Sequence, residues 1–276
     1  MIFEDRLGKR QKWAISGAVL LAVAALVPVS IYFLGLRLAP HLTASAGPAI
    51  RSSGSIGRAT PTPTVTATAP GPHAAYVFAA NDDPPGARSI DAHLSQMDVI
   101  VPDWFRLPGS GCEVTETVDD ASRRWATRSD VGVVARLANL RADAWAKEEA
   151  GAMLRQPETR RCVIEKVTAR AHALHARGVN VDLESLSADD AANLVDFMRE
   201  LRAALGPHDL LSIDVTPGDP AYDLARLGKI ADAVILMAYD EHEETSAPGP
   251  IASTSWFAGV VDQARALVPA DRLVAG

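Results

Sequence analysis

The stretch Gly178-Val-Asn-Val-Asp-Leu-Glu184 alternates apolar and polar side chains along its whole length. This period of two is typical of a β-strand, because successive side chains on a strand point to opposite faces of the sheet. One face carries the apolar side chains of Val179, Val181 and Leu183. The other carries the polar side chains of Asn180, Asp182 and Glu184. We therefore predict a strand over Val179–Glu184 whose apolar face packs against helices and whose polar face points into the fold.

Six further apolar runs are predicted as strands: Ala74–Ala80, Asp98–Trp104, Val131–Leu137, Leu210–Thr216, Ala233–Tyr239 and Arg272–Ala275. Segments with helical spacing lie between the strands: Ser89–Gln96, Ala142–Arg177, Ala188–Leu205, Tyr222–Ile230 and Trp256–Leu267. Ser187 and Ser255 are predicted to cap the helices that follow them.

The alternation of strands and helices predicts an α/β fold with a parallel sheet. Seven strands within about 200 residues favour an incomplete (β/α)8 TIM barrel over an open sheet. No run that would form an eighth strand precedes Gly276. We therefore expect that this chain is a fragment of a longer protein or that its barrel is left open. A further hypothesis is that the chain folds poorly because one edge of the barrel is open.

The residues before the barrel divide into three segments. Residues 1–12 form a basic tail, and residues 13–36 contain no charged side chain over a length that exceeds the roughly 20 residues needed to cross a bilayer. A single transmembrane signal-anchor helix is predicted there, with the basic tail in the cytoplasm and the rest of the chain outside. Ala44-Ser45-Ala46 resembles a cleavage site, so a released form is the alternative. Residues 37–72, rich in Pro, Thr and Ala, are predicted to be a disordered linker to a barrel domain at 73–276.

The overall composition excludes some classes of function. A net charge of -7 and a pI near 5.5 argue against a nucleic-acid partner, which requires a basic face. The two cysteines, Cys112 and Cys162, have no CxxC spacing, so a thiolate zinc site is not expected, although the two residues could pair outside the cytoplasm. The acidic run Asp240–Glu244 is interpreted as a solvated loop, because consecutive side chains cannot all converge on one ion. No metal or cofactor is predicted.

Asp182 and Glu184 are the candidate catalytic pair. Their Cα atoms should lie roughly 6.5–7 Å apart, and two close carboxyl groups in a partly dry site do not both ionise easily. One of them is therefore expected to have a raised pKa that suits a general acid. The alternative is structural: Glu184 caps the next helix or pairs with an arginine.

Polar side chains on two neighbouring strands favour the functional interpretation. Asp214 lies on the polar face of its strand with Ser212 and Thr216, and Met237-Ala-Tyr-Asp240 ends the sixth strand. Barrel active sites form at the carboxyl ends of the strands, so these groups predict a site for a polar, hydroxylated ligand. Trp104, at the end of the second strand, is predicted either to stack on a sugar or to pack in the core.

The segment Arg177–Glu184 resembles the DxxDxDxE signature of family 18 glycoside hydrolases, the chitinase-like fold, and Met237–Asp240 resembles the MxYD motif of that family. The resemblance covers residues 73–276. It implies that Glu184 protonates the glycosidic oxygen and that Asp182 orients the 2-acetamido group of the substrate. The acetamido oxygen then attacks the anomeric carbon, so that configuration is retained.

The same resemblance implies an N-acetylated substrate, such as a chitin-like polymer, poly-N-acetylglucosamine or peptidoglycan. Tyr239 matches the phenol that bonds to the acetamido group, and Asp240 lies beside it. The candidate substrate-binding residues are Tyr239, Asp240, Asn180, Asp214, Met237 and Trp104. Residues 75–107 also look like the extracytoplasmic hydrolase-like domain of some bacterial membrane glycosyltransferases, which implies a glycosyltransferase partner or a fused downstream domain.

The sequence departs from the family pattern at three places. Arg177 and Asn180 replace the first two aspartates of the signature, and because Asn180 has no charge, Asp182 is expected to ionise more readily. The family also supplies from its eighth strand a tryptophan that none of the five present matches: Trp13, Trp104, Trp125, Trp145 and Trp256. The leading hypothesis is a retaining hydrolase of N-acetylated glycans, with possible loss of activity through truncation. The alternative is a noncatalytic module that binds or guides glycan for a membrane glycosyltransferase.

Overall fold

The structure is a computed structural model that describes residues 74–107, 109–141, 144–243 and 245–276. The predicted basic tail, membrane span and linker, at 1–12, 13–36 and 37–72, lie outside these residues. Among the helices of the described ranges, none has both the length and the apolar character needed to cross a bilayer.

Strands and helices follow one another along the described chain. The strands are β1 Tyr76–Ala79, β2 Val99–Pro102, β3 Phe105–Arg106, β4 Thr115–Glu116, β5 Gly132–Val133, β6 Ala135–Ala138, β7 Leu140–Arg141, β8 Ala144–Trp145, β9 Gly178–Asp182, β10 Leu210–Val215, β11 Ala233–Leu236 and β12 Leu273–Ala275. The helices are α1 Pro84–His93, α2 Asp120–Ala126, α3 Lys147–Arg155, α4 Pro157–Ala173, α5 Ala191–Ala204, α6 Leu224–Ile230 and α7 Thr254–Arg265. Short 3₁₀ helices cover Leu94–Gln96 and Ala188–Asp190.

The predicted succession of parallel strands is confirmed. One sheet has the order β1-β2-β5, a second has the order β12-β11-β10-β9-β6-β3-β4, and β7 and β8 form a separate antiparallel pair. The second predicted strand, Asp98–Trp104, corresponds to β2, and β3 follows directly after it in the other large sheet. The third predicted strand, Val131–Leu137, is divided into β5 and β6, which lie in different sheets. The pairings between these strands are parallel, except that β4 runs antiparallel to β3. In the part of the chain that the structure describes, seven strand positions follow one another, which agrees with the predicted α/β, TIM-barrel-like fold.

Three helix predictions differ from the structure. The helix predicted over Ser89–Gln96 begins five residues earlier, at Pro84, and its last three residues form a 3₁₀ helix. The single helix predicted over Ala142–Arg177 is two helices, α3 and α4, preceded by strand β8. Gln156 between them is extended because the residue before a proline avoids helical angles, and Pro157 begins α4. Ser255 was predicted to cap the last helix, but the cap is Ser253, whose side chain accepts a hydrogen bond from the backbone N–H of Trp256. The predicted cap at Ser187 is confirmed.

The apolar face of β9 lies in the core, as its alternation predicts. Val179, Val181 and Leu183 are each at most 1% exposed, and they belong to the same apolar cluster as Phe197 and Leu201 of α5. Burial of side chains of this size stabilises the fold by about 1.5–3 kcal/mol each. The strand is therefore held firmly from its apolar side, which fixes the direction in which its polar side chains point.

A disulfide links Cys112 to Cys162, with Cα atoms 5.7 Å apart. Cys162 lies on α4, and Cys112 lies in the segment between β3 and β4. The possibility that these two cysteines pair is confirmed.

Gly178 begins β9 at a point where no side chain fits. A Cβ atom there would lie 1.9 Å from the backbone oxygen of Leu210 on the paired strand. We expect Gly178→Ala to lower the free energy of unfolding by about 3 kcal/mol, because either β9 or β10 must move. The measurement is urea denaturation of the full chain.

Gly259→Ala is the matched control. Gly259 lies within helix α7, and nothing lies within 4 Å of a Cβ atom built there. Alanine should raise the free energy of unfolding by up to about 1 kcal/mol, because it favours a helix more than glycine does. Equal midpoints for Gly178→Ala and the wild type would contradict the close packing of β9 on β10.

Candidate active site

The predicted site residues come together at the carboxyl ends of three adjacent strands. Asp182 ends β9 and Glu184 follows two residues later, Asp214 lies near the end of β10, and Tyr239 follows β11. Strand β9 pairs with β10, and β10 pairs with β11. The predicted convergence of these polar groups on one rim is confirmed.

The backbone at Glu184 is held on both sides by Asn139, which follows the neighbouring strand β6. The Asn139 side-chain amide donates to the Glu184 carbonyl oxygen and accepts from the Glu184 N–H, and both distances are 2.9 Å. Asn139 is fully buried. The Tyr222 hydroxyl donates to the carbonyl oxygen of Leu183 at 2.9 Å. Side chains from two other parts of the fold thus fix the backbone from which Glu184 projects.

Asp182 is buried and bonded to an arginine from the adjacent strand. Nε of Arg136 donates to Oδ2 of Asp182 at 2.7 Å, and Nη2 donates to the same oxygen. In the register of β6 with β9, Ala138 is directly opposite Asp182, and Arg136 is opposite Asn180. The contact between the arginine and the carboxylate is therefore diagonal across the two paired strands.

Asn180 is fully buried and bonds across to β10. Its Nδ2 donates to Oγ of Ser212 at 3.0 Å and to Oδ1 of Asp214 at 2.9 Å. Among the described residues, two buried side-chain oxygens accept no hydrogen bond, Oδ1 of Asn180 and Oδ1 of Asp182. Such acceptors are rare in folded proteins, and their presence on one face of β9 distinguishes this face from an ordinary polar core.

Burial raises the pKa of Glu184 to about 7, and the negative charge of Asp182 adds to this effect. Burial also raises the pKa of Asp182, although the Arg136 guanidinium opposes the shift. The pKa of Asp214 is raised well above its usual value by burial and by the nearby Asp182. The largest influence on the pKa of Asp182 is therefore loss of water. The expectation that Asp182 ionises more readily beside the uncharged Asn180 than it would beside the aspartate of the family signature stays a prediction.

Tyr239 and Asp240 lie at the open end of the site. Tyr239 is 41% exposed, and burial followed by the charge of Asp214 raises its pKa to about 12, so its hydroxyl keeps its proton at neutral pH. Asp240 is exposed and has a φ of 65°, in the left-handed region that non-glycine residues rarely adopt. Ser185, directly after Glu184, has a φ of 56°. Strained backbone of this kind is enriched at functional sites. Met237, between β11 and Tyr239, is partly buried.

Trp104 does not line the site. It is 0% exposed, its ring packs against Phe105, and its Nε1 donates to Oγ of Ser122 at 2.8 Å. A sugar cannot stack on an indole face that the core covers. Of the two roles predicted for Trp104, packing is correct, and it is removed from the candidate substrate-binding residues.

Three supporting residues were missed by the sequence analysis: Arg136, Asn139 and Tyr222. Arg136 interrupts an otherwise apolar strand, and a charge in a strand predicted to be buried was a detectable sign of a partner. Asn139 and Tyr222 bond to backbone atoms 45 and 39 residues away, and no local pattern identifies such contacts. Within the described residues, no group of three or more His, Cys, Asp or Glu side chains is placed to hold one metal ion.

Comparison with known proteins relates this geometry to a family. Residues 145–268 match the family model described as "Glycosyl hydrolases family 18". The chain is 29% identical over 118 residues to "Uncharacterized glycosylase YvbX" of Bacillus subtilis, a match that covers 39% of this chain and 34% of YvbX. The chain therefore spans about a third of the length of that relative.

Solved structures share the fold. The spore cortex-lytic enzyme SleL of Bacillus cereus superposes with a TM-score of 0.66 at 18% identity, over 74% of this chain and 49% of SleL. A chitinase from Chromobacterium violaceum also gives a TM-score of 0.66, at 24% identity, over 74% of this chain and 68% of the chitinase. The match over residues 145–268 relates this part of the chain to the glycosyl hydrolases of family 18, and the solved structures show that the fold is shared.

Proposed function

We propose that this protein hydrolyses glycosidic bonds in an N-acetylated glycan with retention of configuration. The observation that most supports this function is Glu184, a partly buried carboxyl group beside Asp182 whose pKa is raised to about 7. A carboxyl group with a pKa near neutrality retains a proton that it can donate, which is the property required of a general acid.

Glu184 donates its proton to the glycosidic oxygen as the bond from that oxygen to the anomeric carbon breaks. The acetamido oxygen of the substrate forms a bond to the anomeric carbon from the opposite face. Asp182 orients the acetamido group, and the protonated hydroxyl of Tyr239 donates a hydrogen bond to it. Glu184 then accepts a proton from the water that opens the cyclic intermediate, which restores the acid and retains the configuration. Met237 and Asp240 contact the substrate at the same end of the barrel, whereas Asn180 and Asp214, predicted as substrate contacts, are buried and bond to each other, so they support the site from below.

The assay for this function uses the full chain with chitin oligomers, poly-N-acetylglucosamine and peptidoglycan fragments as separate substrates. New reducing ends are measured, and proton NMR records the anomeric configuration of the first product. A product with the β configuration of the substrate is expected. An α product, or no cleavage of any of these glycans, would overturn the proposal.

Activity is expected to fall as the pH rises through about 7. The pKa of Glu184 is raised to about 7, so the group is mostly protonated below that pH and loses its acidic proton above it. The free energy of unfolding should change in the same direction. The folded chain binds a proton at Glu184 more tightly than the unfolded chain does, so this contribution to stability is lost as the pH rises from the usual glutamate range to 7. The pH dependence of kcat with a chitin oligomer measures the first effect. A basic limb that lies below pH 5 would contradict it.

A noncatalytic glycan-binding or guiding module is the second candidate function. It is favoured by Asn180, which places an uncharged amide where the family signature has a carboxylate. Under this alternative, isothermal titration calorimetry would detect oligomer binding by both the wild type and Glu184→Gln, and neither protein would release reducing ends.

We also propose that the barrel domain lies outside the cytoplasm, as a single-pass membrane protein with a cytoplasmic N-terminus. The uncharged residues 13–36 after a basic tail support this location, and so does the Cys112–Cys162 disulfide, because disulfides persist in oxidising compartments. A membrane glycosyltransferase that makes the glycan is the partner that fits this position. Protease accessibility of the barrel in intact cells, with and without membrane permeabilisation, tests the location.

A further inference from the structure

We propose that Arg136 is a positioning residue that assigns the proton within the acid cluster: it keeps Asp182 as a carboxylate and leaves the transferable proton on Glu184. This inference rests on the proposed function and adds to it a residue outside both motifs that the sequence analysis identified.

Arg136 bonds to Asp182 more closely than to the other carboxyl groups near it. Two of its N–H groups converge on a single oxygen, Oδ2 of Asp182, and Nη1 lies 3.4 Å from Oδ1 of Asp103. In the described part of the chain, Arg136 makes no hydrogen bond to Glu184 or Asp214. A guanidinium bonds best to an ionised carboxylate, so the contact favours the charged form of Asp182 over the charged form of its neighbours.

The guanidinium is fixed from several sides. Asp182 faces it from β9, Asp103 faces it from the segment after β2, and the ring of Trp145 on β8 lies 6.0 Å from Cζ of Arg136. Asp103 is itself paired with Arg106. Arg136 is 18% exposed in its side chain and Asp182 is 3% exposed, so the ion pair is largely shielded from water. Fixed in this way, Arg136 cannot easily turn to another partner.

The acid cluster has more carboxyl groups than cations to pair with them. Asp182, Glu184 and Asp214 lie close enough to influence one another, and among the described residues Arg136 is the cation that bonds within this group of three. Carboxyl groups this close cannot all ionise together at moderate pH. The group that bonds to the guanidinium ionises first, and Glu184, which has no such bond among the described residues, ionises later. The order of ionisation thus follows from the placement of one side chain.

The direct test is a titration of the full chain that needs no substrate. The side-chain carboxyl carbons of Asp and Glu are labelled with ¹³C, and the signals of Asp182 and Glu184 are assigned with Asp182→Asn and Glu184→Gln. Asp182 is expected to titrate at lower pH than Glu184. The reverse order would overturn the proposal, whether or not the protein cleaves any glycan, so failure here is distinct from failure of the proposed function.

The kinetic test compares Arg136→Met with Arg136→Lys. Activity requires Asp182 ionised and Glu184 protonated, so the pH profile of kcat/KM has an acidic limb from Asp182 and a basic limb from Glu184. In Arg136→Met the acidic limb should move up by about one pH unit or more, more than the basic limb, and kcat should fall about 10- to 100-fold. Arg136→Lys keeps the charge, so its acidic limb should stay close to that of the wild type.

Arg155→Met is the matched control. Arg155 pairs with another buried carboxylate, that of Asp190, at 2.9 Å, so this variant also leaves a buried aspartate without its arginine. In Arg155→Met, the acidic and basic limbs of the pH profile of kcat/KM are expected to lie at the same pH as in the wild type. If Arg136→Met lowers kcat without moving its acidic limb, Arg136 has only a structural role and the inference fails. If Arg136→Met does not fold, two measurements still test the proposal: the acidic limb of the pH profile of Arg136→Lys, and the ¹³C titration of Asp182 and Glu184.

Discussion

Replacing Glu184 with glutamine is expected to reduce kcat for an N-acetylated oligomer by about 10²- to 10⁴-fold, with little change in KM. Glutamine has nearly the same size and shape as glutamate and leaves the backbone bonds to Asn139 in place. It has no acidic proton for the leaving oxygen, and it cannot accept a proton from water in the second step. The loss should therefore appear in the chemical step rather than in binding, as measured by initial rates over a range of oligomer concentrations.

The control for this substitution is Glu165→Gln. Glu165 is an exposed residue of α4, and the same chemical change there should leave kcat unaltered. If Glu184→Gln retained more than about a tenth of the wild-type kcat, Glu184 would not be the general acid.

Asn139→Ala is expected to lower the free energy of unfolding by about 2–4 kcal/mol and to reduce kcat as well. Two hydrogen bonds to the Glu184 backbone are lost at a fully buried position, and each polar group left without a partner costs about 1–3 kcal/mol. The backbone at Glu184 is then free to shift, and the acid no longer lies at a fixed distance from its target. Thermal or urea denaturation measures the first effect, and initial rates measure the second.

Asn193→Ala provides the comparison for that variant. Asn193 lies on helix α5 and donates one long hydrogen bond, of 3.5 Å, to Asp190. The free energy of unfolding should change by no more than about 0.5 kcal/mol. If Asn139→Ala unfolded like Asn193→Ala, the bonds from Asn139 would contribute nothing to holding Glu184.

The strands were predictable because their side-chain period can be read directly from the residues. The alternation in Gly178–Glu184 places Asp182 and Glu184 on the polar face and the valines in the core, as the structure confirms. The breaks between β2 and β3 and between β5 and β6 were not predictable, since they depend on which neighbouring strand each piece pairs with. The short strands β3, β4, β7 and β8 have two residues each, too few to establish a period.

The sequence was enough to predict the reacting groups of the site, but it was not enough to predict the residues that hold those groups in place. Glu184, Asp182 and Tyr239 follow strands whose ends meet at one rim, so topology alone places them together. Arg136, by contrast, bonds to Asp182 diagonally between two adjacent strands, and that contact depends on the register in which β6 and β9 pair. The burial of Trp104 could not be distinguished from a role in stacking, because aromatic rings serve both purposes at strand ends.

The disulfide has a consequence for the support of the acid. Cys112 and Cys162 are 50 residues apart, and the chain between them supplies both Arg136 and Asn139. Closing a loop of that length reduces the conformational entropy of the unfolded chain, a stabilisation of about 4 kcal/mol in the simple loop model. A reducing environment would remove this restriction from the segment that positions Asp182 and Glu184, while Asp182 and Glu184 themselves lie outside the loop. Hydrogen exchange at β6 should therefore respond to a reductant before hydrogen exchange at β10 does, which ties the geometry of the acid to the redox state of its surroundings.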